Sequence, residues 1–537
     1  MSILDEEQPR PPVKKPGRVK ENILINVEPN KKVANNRKDT LKVTVNLEAA
    51  NAFARPGVDL VVVLDVSESM RGKKLEDLQS AMKFVIKKLG TNDRLCIIKF
   101  AKAAQMLCHL RLVKDSQAED MFNDIIDNQL GLAWYTNIED GLRAGLEVIQ
   151  NRKHKENRFA SIFLMSDGQE NVGKALDVSK IGEPFDFGAF GFGSDHDEKL
   201  MAAIAKTMQG GYEFVDDGLT KISLPFAAKL GGILSVVARE LTLKFRPARD
   251  GITIKQIKSG SYPQSPPGND RAITVTYGDL YSREERTAHV LLELNEAESS
   301  PETVLYVSFE YKDAVSGKAV PRYTEAVKIK RNSDTPADLA AVLPDTTTNR
   351  KVRSLLTRDL YVDKIKEAST MAMAKGNEQL QEARAKLWEA QNVLDDVDAP
   401  YQDDPTLDML RAELAQILKR LEDLEANKGS DDEERCVKNL VAYMLSSLMS
   451  HGSQRFASRG ETDTVQLYAT PRMIQYMKQA EQFEAKPDMP VTSADDDARE
   501  ELIANPIAAM AGPMVFYLRV AIQALQTLEE MITGNDA

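Results

Sequence analysis

Asp59-Leu-Val-Val-Val-Leu64 is an almost uninterrupted apolar run, and Asp65-Val-Ser-Glu-Ser-Met70 follows it directly. An apolar run of this length is typical of a parallel strand that is covered on both faces. Strand-like and helix-like runs then alternate as far as Asp217. The alternation predicts βαβ units in a mostly parallel, doubly wound, Rossmann-like sheet, and we place this α/β domain at residues 56–218.

The elements of this α/β domain follow from apolar spacing. Further strands are predicted at Leu95–Phe100, Phe159–Met165 and Phe185–Phe192, and helices at Leu75–Leu89, Ile138–Ile149 and Leu200–Thr207.

In residues 219–333 apolar and polar residues alternate with a period of two, and turn residues separate short runs such as Glu240–Phe245 and Val304–Phe309. This pattern predicts an antiparallel, β-sandwich-like domain. Residues 38–55 contain one earlier run, Leu41–Leu47, with the same alternation. Our hypothesis is that this segment pairs into the later sheet, so that the α/β domain is inserted in sequence.

Residues 334–347 read as a linker, and residues 348–485 as a helical region that is rich in Ala, Glu, Gln and Lys. Within 405–426 the apolar positions from Leu407 to Leu424 step by 3, 4, 3, 4 and 3, as in a short coiled coil. Two interpretations stay open, which are packing in a local bundle and pairing between chains in a homo-oligomer. The tail, 486–537, is predicted to hold a solvated acidic loop at Asp495–Asp497 and a helix at Met514–Met531.

The composition limits the function. The 537 residues carry a formal net charge of −12, which argues against general nucleic-acid binding. Residues 1–37 are the exception, because basic residues alternate with prolines there, and they are predicted to be a disordered basic arm. The three cysteines cannot form a disulfide framework or a four-ligand zinc site. We expect a cytoplasmic protein, with the nucleus as the alternative, that is not secreted and has no membrane span.

Five oxygen-bearing side chains are predicted to meet at one edge of the sheet. Asp65 leaves its strand at the carboxyl end, where ligands bind in doubly wound sheets, and Ser67 and Ser69 follow in the same loop. Thr136 precedes a helix, and Asp167 follows the strand that ends at Met165. Hard oxygen donors without His or Cys favour Mg²⁺, Mn²⁺ or Ca²⁺ over zinc. An acidic side chain of a partner could complete the coordination.

These loops resemble those of the von Willebrand factor A domain. Asp65-x-Ser-x-Ser-Met70, Thr136-Asn-Ile138 and Ser166-Asp-Gly168 are similar to its metal-ion-dependent adhesion site. The resemblance implies direct coordination by Ser67, Ser69 and Thr136, and coordination through water by Asp65 and Asp167. This sequence departs from the family at Trp134-Tyr135, where small residues are usual. The two rings either crowd the metal, contact a partner or pack against the domain's own helices.

A wider resemblance takes in the whole order of domains. An early strand, an A domain, a β-rich region and a helical tail containing Arg455-Phe-Ala-Ser-Arg-Gly460 resemble plant ubiquitin ligases of the wavy-growth type. Those ligases also carry a zinc-binding RING finger, for which these 537 residues hold no Cys and His cluster. The resemblance is therefore to a relative without the RING finger.

The expected function is partner binding through the metal, not catalysis. The histidines are scattered and no nucleophile elbow is present, so no catalytic residues are assigned. The alternative is a substrate-binding component of a ubiquitin ligase complex that acts with a RING-bearing paralogue. A third interpretation gives the α/β domain a structural role and makes the coiled coil the functional oligomeriser.

Overall fold

The computed structural model describes residues 6–7, 22–51, 54–167, 185–193, 196–215, 222–320, 322–332, 347–374, 377–397, 403–459, 465–487 and 489–504. Within these ranges the strands are β1 (Ile23–Pro29), β2 (Val33–Asn35), β3 (Asp39–Ala49), β4 (Gly57–Asp65), β5 (Arg94–Phe100), β6 (Ala104–Leu112), β7 (Arg158–Ser166), β8 (Asp186–Phe192), β9 (Gly211–Val215), β10 (Val236–Pro247), β11 (Ile252–Lys258), β12 (Ile273–Tyr281), β13 (Glu285–Leu294), β14 (Glu302–Asp313) and β15 (Tyr323–Asn332). The helices are α1 (Lys73–Lys88), α2 (Ser116–Asn128), α3 (Ile138–Asn151), α4 (Glu198–Thr207), α5 (Ser223–Ile233), α6 (Thr347–Met373), α7 (Asn377–Asp395), α8 (Pro405–Ala426), α9 (Glu433–Ser453), α10 (Pro471–Ala485) and α11 (Ala494–Ala504).

The α/β domain is built on a six-stranded sheet in the order β6-β5-β4-β7-β8-β9. Every pair in it is parallel except β5 with β6. All nine residues of β4 are buried, because α1 covers one face through Leu78 and Met82 and α3 covers the other through Leu142. Burial on both faces explains why this strand has no polar alternation. The predicted doubly wound α/β fold is confirmed.

Helix α5 corrects the prediction for residues 219–333, which were expected to be β-rich from their start. All eleven of its residues are buried, and Phe226 stacks on Phe190 of β8 with ring centroids 4.3 Å apart. A helix that is buried all round has no apolar stripe, so its sequence carries no helical periodicity. Residues 223–233 therefore complete the core of the α/β domain.

The antiparallel domain consists of two sheets that enclose a common core. One sheet has the order β1-β3-β13-β11 and the other β12-β10-β14-β15-β2. Strand β3 pairs with β13, and the register sets Leu41 opposite Leu292 and Val43 opposite Val290. The α/β domain thus lies in sequence between strands of the antiparallel domain, as the alternation in Leu41–Leu47 suggested.

The disordered arm predicted for residues 1–37 is too long. Strand β1 pairs with β3 over seven residues, and β2 pairs with the end of β15. The mixed polarity of β1 hid it from the sequence, since its side chains are mostly half-buried at the outer position of a sheet. The basic stretch 8–21 lies outside the described residues.

Helices α6 to α9 pack around a core of their own, and α8 supplies its most regular face. The seam residues are each at most 3% exposed, and they are Leu407, Leu410, Leu414, Ile417, Leu421 and Leu424. Their partners are apolar side chains of α6, α7 and α9 within the same chain. The structure therefore favours the local bundle over pairing between chains, since the seam is already covered.

The last described helices, α10 and α11, pack on the α/β domain and not on the bundle. Phe483 of α10 contacts Phe84 of α1, with ring centroids 6.0 Å apart. The acidic loop expected at Asp495–Asp497 is instead the first turn of α11, where carboxylates favour the positive end of the helix dipole. Asp497 is buried against the ammonium group of Lys88.

The helix predicted at Met514–Met531 lies outside the described residues. Among the helices that are described, none combines the length and apolar character that crossing a bilayer requires.

Candidate metal centre

The predicted donors lie where the strands of the α/β domain end. Asp65 is the last residue of β4, and Asp167 follows the last residue of β7, which is the parallel neighbour of β4. Thr136 stands two residues before α3. The loop that holds it is fixed to the Asp65 loop, because the amide of Ala133 donates to the carbonyl of Val66 at 2.9 Å.

Asp65 has no exposed surface. Its Oδ1 accepts from the backbone amide of Ser67 at 2.8 Å, and its Oδ2 accepts from the hydroxyl of Ser166 at 2.6 Å. Burial raises the pKa of Asp65 to about 6, although these hydrogen bonds act in the opposite direction. The contacts fix the carboxylate beneath the loop that carries Ser67 and Ser69.

Three further donors form a continuous chain of oxygen atoms. The hydroxyls of Ser67 and Ser69 are 2.9 Å apart, and the Ser69 hydroxyl donates to Oδ1 of Asp167 at 2.7 Å. Asp167 is fully buried, whereas Ser69 is exposed. The oxygen cluster therefore reaches the protein surface at Ser69, where a ligand from solution could approach it.

Thr136 is 4% exposed, and the next residue, Asn137, is fixed by hydrogen bonds. The amide of Asn137 donates to the carbonyl of Ala101 at 2.8 Å. The Asn137 side chain caps α3 by accepting from the amide of Asp140 at 3.0 Å. An N-cap fixes the first turn of its helix, so the position of Thr136 relative to the sheet is set by α3.

The donor set suits a hard divalent cation. Two buried carboxylates and three hydroxyls are oxygen ligands of the type that Mg²⁺, Mn²⁺ and Ca²⁺ take. The Ser69 hydroxyl already lies within hydrogen-bonding distance of both Ser67 and Asp167, so little rearrangement would bring the three side chains around one ion. No group of three or more His, Cys, Asp and Glu side chains suited to a metal occurs among the described residues. Hydroxyls would therefore have to supply most of the protein ligands.

The sequence alone did not identify two residues of this site. Lys74, in the first turn of α1, donates to Oδ2 of Asp167 at 2.7 Å, and Ser166 bonds Asp65. Lys74 places a positive charge on a carboxylate that a metal would also use, so the site already attracts one cation from the protein itself. The position of Ser166 beside Asp167 was a usable signal, whereas nothing in the local pattern around Lys74 pointed to this contact.

The aromatic pair beside Thr136 projects into solvent. Trp134 is 71% exposed and Tyr135 is 54% exposed, so the packing of these rings against the domain's own helices, one of the three predicted options, is not found. Tyr135 has a φ of 76°, a backbone conformation that is unusual for a residue with a bulky side chain. The ammonium group of Lys102 lies 5.7 Å from the centroid of the Tyr135 ring.

The fold of the α/β domain defines its class. The family model for the von Willebrand factor type A domain matches residues 58–214, and the α/β domain is a von Willebrand factor A domain. A second model, described as VWA / Hh protein intein-like, matches residues 404–482. No RING finger is among the models that match these 537 residues.

Sequence similarity to known proteins extends beyond this domain. It is 27% identical over 290 residues to an uncharacterised protein of Synechocystis, a match that covers 52% of this chain and 67% of that protein. It is also homologous to the E3 ubiquitin-protein ligase WAV3 of Arabidopsis thaliana, with 27% identity over 290 residues. That match covers 52% of this chain but only 37% of WAV3.

A solved structure shares the fold over most of the chain. The von Willebrand factor type A protein of Catenulispora acidiphila superposes with a TM-score of 0.57 at 18% sequence identity. The superposition covers 73% of this chain and 89% of that protein, so the shared fold extends beyond the α/β domain.

Proposed function

We propose that the chain is a protein-binding protein that captures an acidic partner through a divalent cation in its α/β domain. The observation that carries the proposal is the chain of hydrogen bonds from Ser67 through Ser69 to Asp167, which gathers oxygen donors where the strands end. Von Willebrand A domains typically mediate contacts between proteins. The five donor residues of this domain resemble those of the family's metal-ion-dependent adhesion site in type and in order along the sequence.

The five donors divide into two groups in this proposal. Ser67, Ser69 and Thr136 would hold Mg²⁺, or Mn²⁺ or Ca²⁺, directly, and Asp65 and Asp167 would hold it through water. The cation would supply a Lewis-acid position for a carboxylate of the partner. Asp65 also orients the loop, because its two oxygens fix the Ser67 amide and the Ser166 hydroxyl.

The exposed rings of Trp134 and Tyr135 would form an apolar contact surface next to this position. Aromatic side chains of this kind are enriched at binding interfaces because they bury a large area with few rotatable bonds. We therefore expect the partner's acidic residue to be flanked by apolar or aromatic residues.

The test compares divalent-metal binding by the full chain and by its Asp65→Ala variant. Loss of a carboxylate that orients the ligands should weaken Mn²⁺ binding about 10- to 100-fold. Asp124→Ala, which alters an exposed aspartate of α2, is the matched control. Captured partners are then compared in magnesium and in EDTA, and capture that is equal in both would contradict the proposal.

A second function is favoured by the homology to WAV3, an E3 ubiquitin-protein ligase. On this proposal the chain binds the substrate within a ubiquitin ligase complex and a RING-bearing paralogue supplies the ligase activity. The purified chain should then build no ubiquitin chains alone and should co-purify with a RING ligase. Efficient chain formation by the isolated protein would rule this arrangement out.

A further inference from the structure

A second group of charged side chains lies at the opposite end of the same sheet. Asp59 of β4, Arg94 of β5 and Arg158 of β7 stand where the parallel strands begin, whereas the candidate metal donors stand where they end. Two glutamates from the start of the chain, Glu6 and Glu7, are held at this end. We refer to them as the N-terminal anchor.

Glu6 contacts both a buried guanidinium group and a backbone amide. Its Oε1 lies 2.5 Å from Nη1 of Arg94, and both of its oxygens accept from the backbone amide of Lys153 at 2.8 Å. The side chain of Glu6 is 5% exposed and that of Arg94 is not exposed at all. A carboxylate that is bound by a buried guanidinium and a backbone amide forms charge-assisted hydrogen bonds, which are among the strongest in proteins.

Glu7 is bound along the outer strand of the sheet. Its amide donates to the carbonyl of Leu110 at 2.9 Å, and its Oε2 accepts from the amide of Leu112 at 3.3 Å. The ammonium group of Lys114 lies 2.5 Å from its Oε1. Because β6 is the outermost strand of the described sheet, its free edge offers backbone groups to an added extended segment, as in strand addition.

Three arginine side chains near Glu6 favour a negatively charged side chain at its position. Asp59 accepts hydrogen bonds from the guanidinium groups of Arg94, Arg152 and Arg158 at 2.7 to 2.9 Å. One carboxylate thus faces three buried cations, and Glu6 is a second carboxylate bound by the same cluster. A buried positive charge without a counter-ion is costly, so the pocket favours an anion in the place that Glu6 takes.

We infer that this pocket and the adjoining edge of β6 form a binding site for an extended acidic peptide, which the chain's own N-terminal anchor occupies and masks. An external segment with two adjacent glutamates reproduces each contact of Glu6 and Glu7, and it binds once the anchor is displaced. The tethered anchor competes at a high effective concentration, so the site is closed to weak external ligands in the unaltered chain.

The test uses the full chain, a fluorescent peptide carrying residues 2–8 and buffer containing EDTA, so that a divalent cation does not contribute. The Glu6→Ala/Glu7→Ala variant should bind this peptide at least about tenfold more tightly than the unaltered chain, because the tethered competitor is gone. Glu7→Ala alone keeps the pair between Glu6 and Arg94, and hence the counter-ion, and it should show a smaller gain. Asp120→Ala, at an exposed acid of α2, should bind like the unaltered chain.

A peptide with glutamine in place of both glutamates should bind none of these proteins. Equal binding of the acidic peptide to the unaltered chain and to both anchor variants would show that the anchor does not mask the site. Failure of both folded variants, as judged by circular dichroism, to bind the peptide would overturn the proposal. These outcomes are independent of the metal proposal, whose donors lie at the other end of the sheet.

Discussion

At the scale of single residues, the buried charge of Asp59 is bound by specific partners within the protein. Asp59 has no exposed surface, and its two oxygens hold three guanidinium groups in a fixed arrangement. Asp59 keeps a lowered pKa although burial acts to raise it, because Arg94 and Arg158 oppose the effect. The start of the sheet is thus ordered by ion pairs, and its end by hydroxyls and carboxylates.

Removing Asp59 should destabilise the α/β domain severely. Asp59→Ala leaves three buried guanidinium groups with too few counter-ions, which should lower the free energy of unfolding by roughly 3–5 kcal/mol. Urea unfolding followed by circular dichroism measures the change, with the exposed Asp120→Ala as control. A loss of less than about 1 kcal/mol would mean that water or the backbone satisfies these arginines.

The sequence pattern predicts the donor residues but not their immediate surroundings. Asp65, Ser67 and Ser69 are recognisable because a short loop directly follows an apolar strand. Lys74 is not, because a lysine in the first turn of a helix usually points to solvent, and only the fold shows that it reaches Asp167. Contacts between loops that are distant in sequence depend on the packing of the sheet.

At the scale of secondary-structure elements, α8 and α5 show what apolar spacing can and cannot reveal. The seam of α8 is regular because one face packs and the other meets solvent. The spacing of apolar residues predicts the helix α8 but not the elements that cover its seam. A bundle within the chain and a coiled coil between chains require the same apolar stripe. Helix α5 carries no stripe because all of it is buried.

The buried seam of α8 yields a prediction for Leu414. Leu414→Ala should destabilise the helical bundle by about 2–5 kcal/mol through lost burial and a cavity, without a change in oligomeric state. Thermal unfolding and sedimentation velocity measure the two effects, and Leu418→Ala, at a less buried position of the same helix, is the control. A variant that dissociates an oligomer while keeping its melting temperature would contradict the intramolecular seam.

At the scale of the whole molecule, buried polar groups connect the domains. His289 of β13 hydrogen-bonds Thr44 of β3 at 2.9 Å and faces Asp359 of α6 across 3.6 Å. Glu413 of α8 binds His451 of α9 and Arg459, and the segment of Arg459 lies along β9. Such contacts join residues that are 38 to 245 positions apart in sequence, and local sequence patterns do not encode them. The packing of α10 on α1 escaped prediction for the same reason.

Because of these buried groups, we expect the free energy of unfolding to fall at acidic pH. Burial lowers the pKa of His289 from 6.5 to about 4, so the folded chain binds fewer protons than the unfolded chain in this range. The stability from His289 is complete above pH 6.5 and is lost as the pH falls towards 4, by up to about 3 kcal/mol. The pKa of Glu413 is lowered to about 2 by Arg459 and His451, against the effect of burial. Its contribution is therefore complete above pH 4.5 and is lost only below that value.

Urea unfolding at several pH values separates the two contributions. His289→Gln should flatten the pH dependence of stability between 6.5 and 4 and leave the loss below pH 4.5 in place. Glu213 has the opposite effect on the pH dependence of stability, because burial raises its pKa to about 7. Both proteins contain Glu213, so its contribution cancels when they are compared. An identical pH slope in the unaltered chain and in His289→Gln would contradict the assignment.

Binding of a divalent cation by Asp65 and its neighbours is measured most directly by titrating Mn²⁺ into the full chain and following electron paramagnetic resonance. We expect one saturable site in the unaltered protein and in Asp124→Ala, and an Mn²⁺ affinity about 10- to 100-fold weaker in folded Asp65→Ala. Equal Mn²⁺ affinity in all three proteins, or no saturable binding in the unaltered chain, would contradict it.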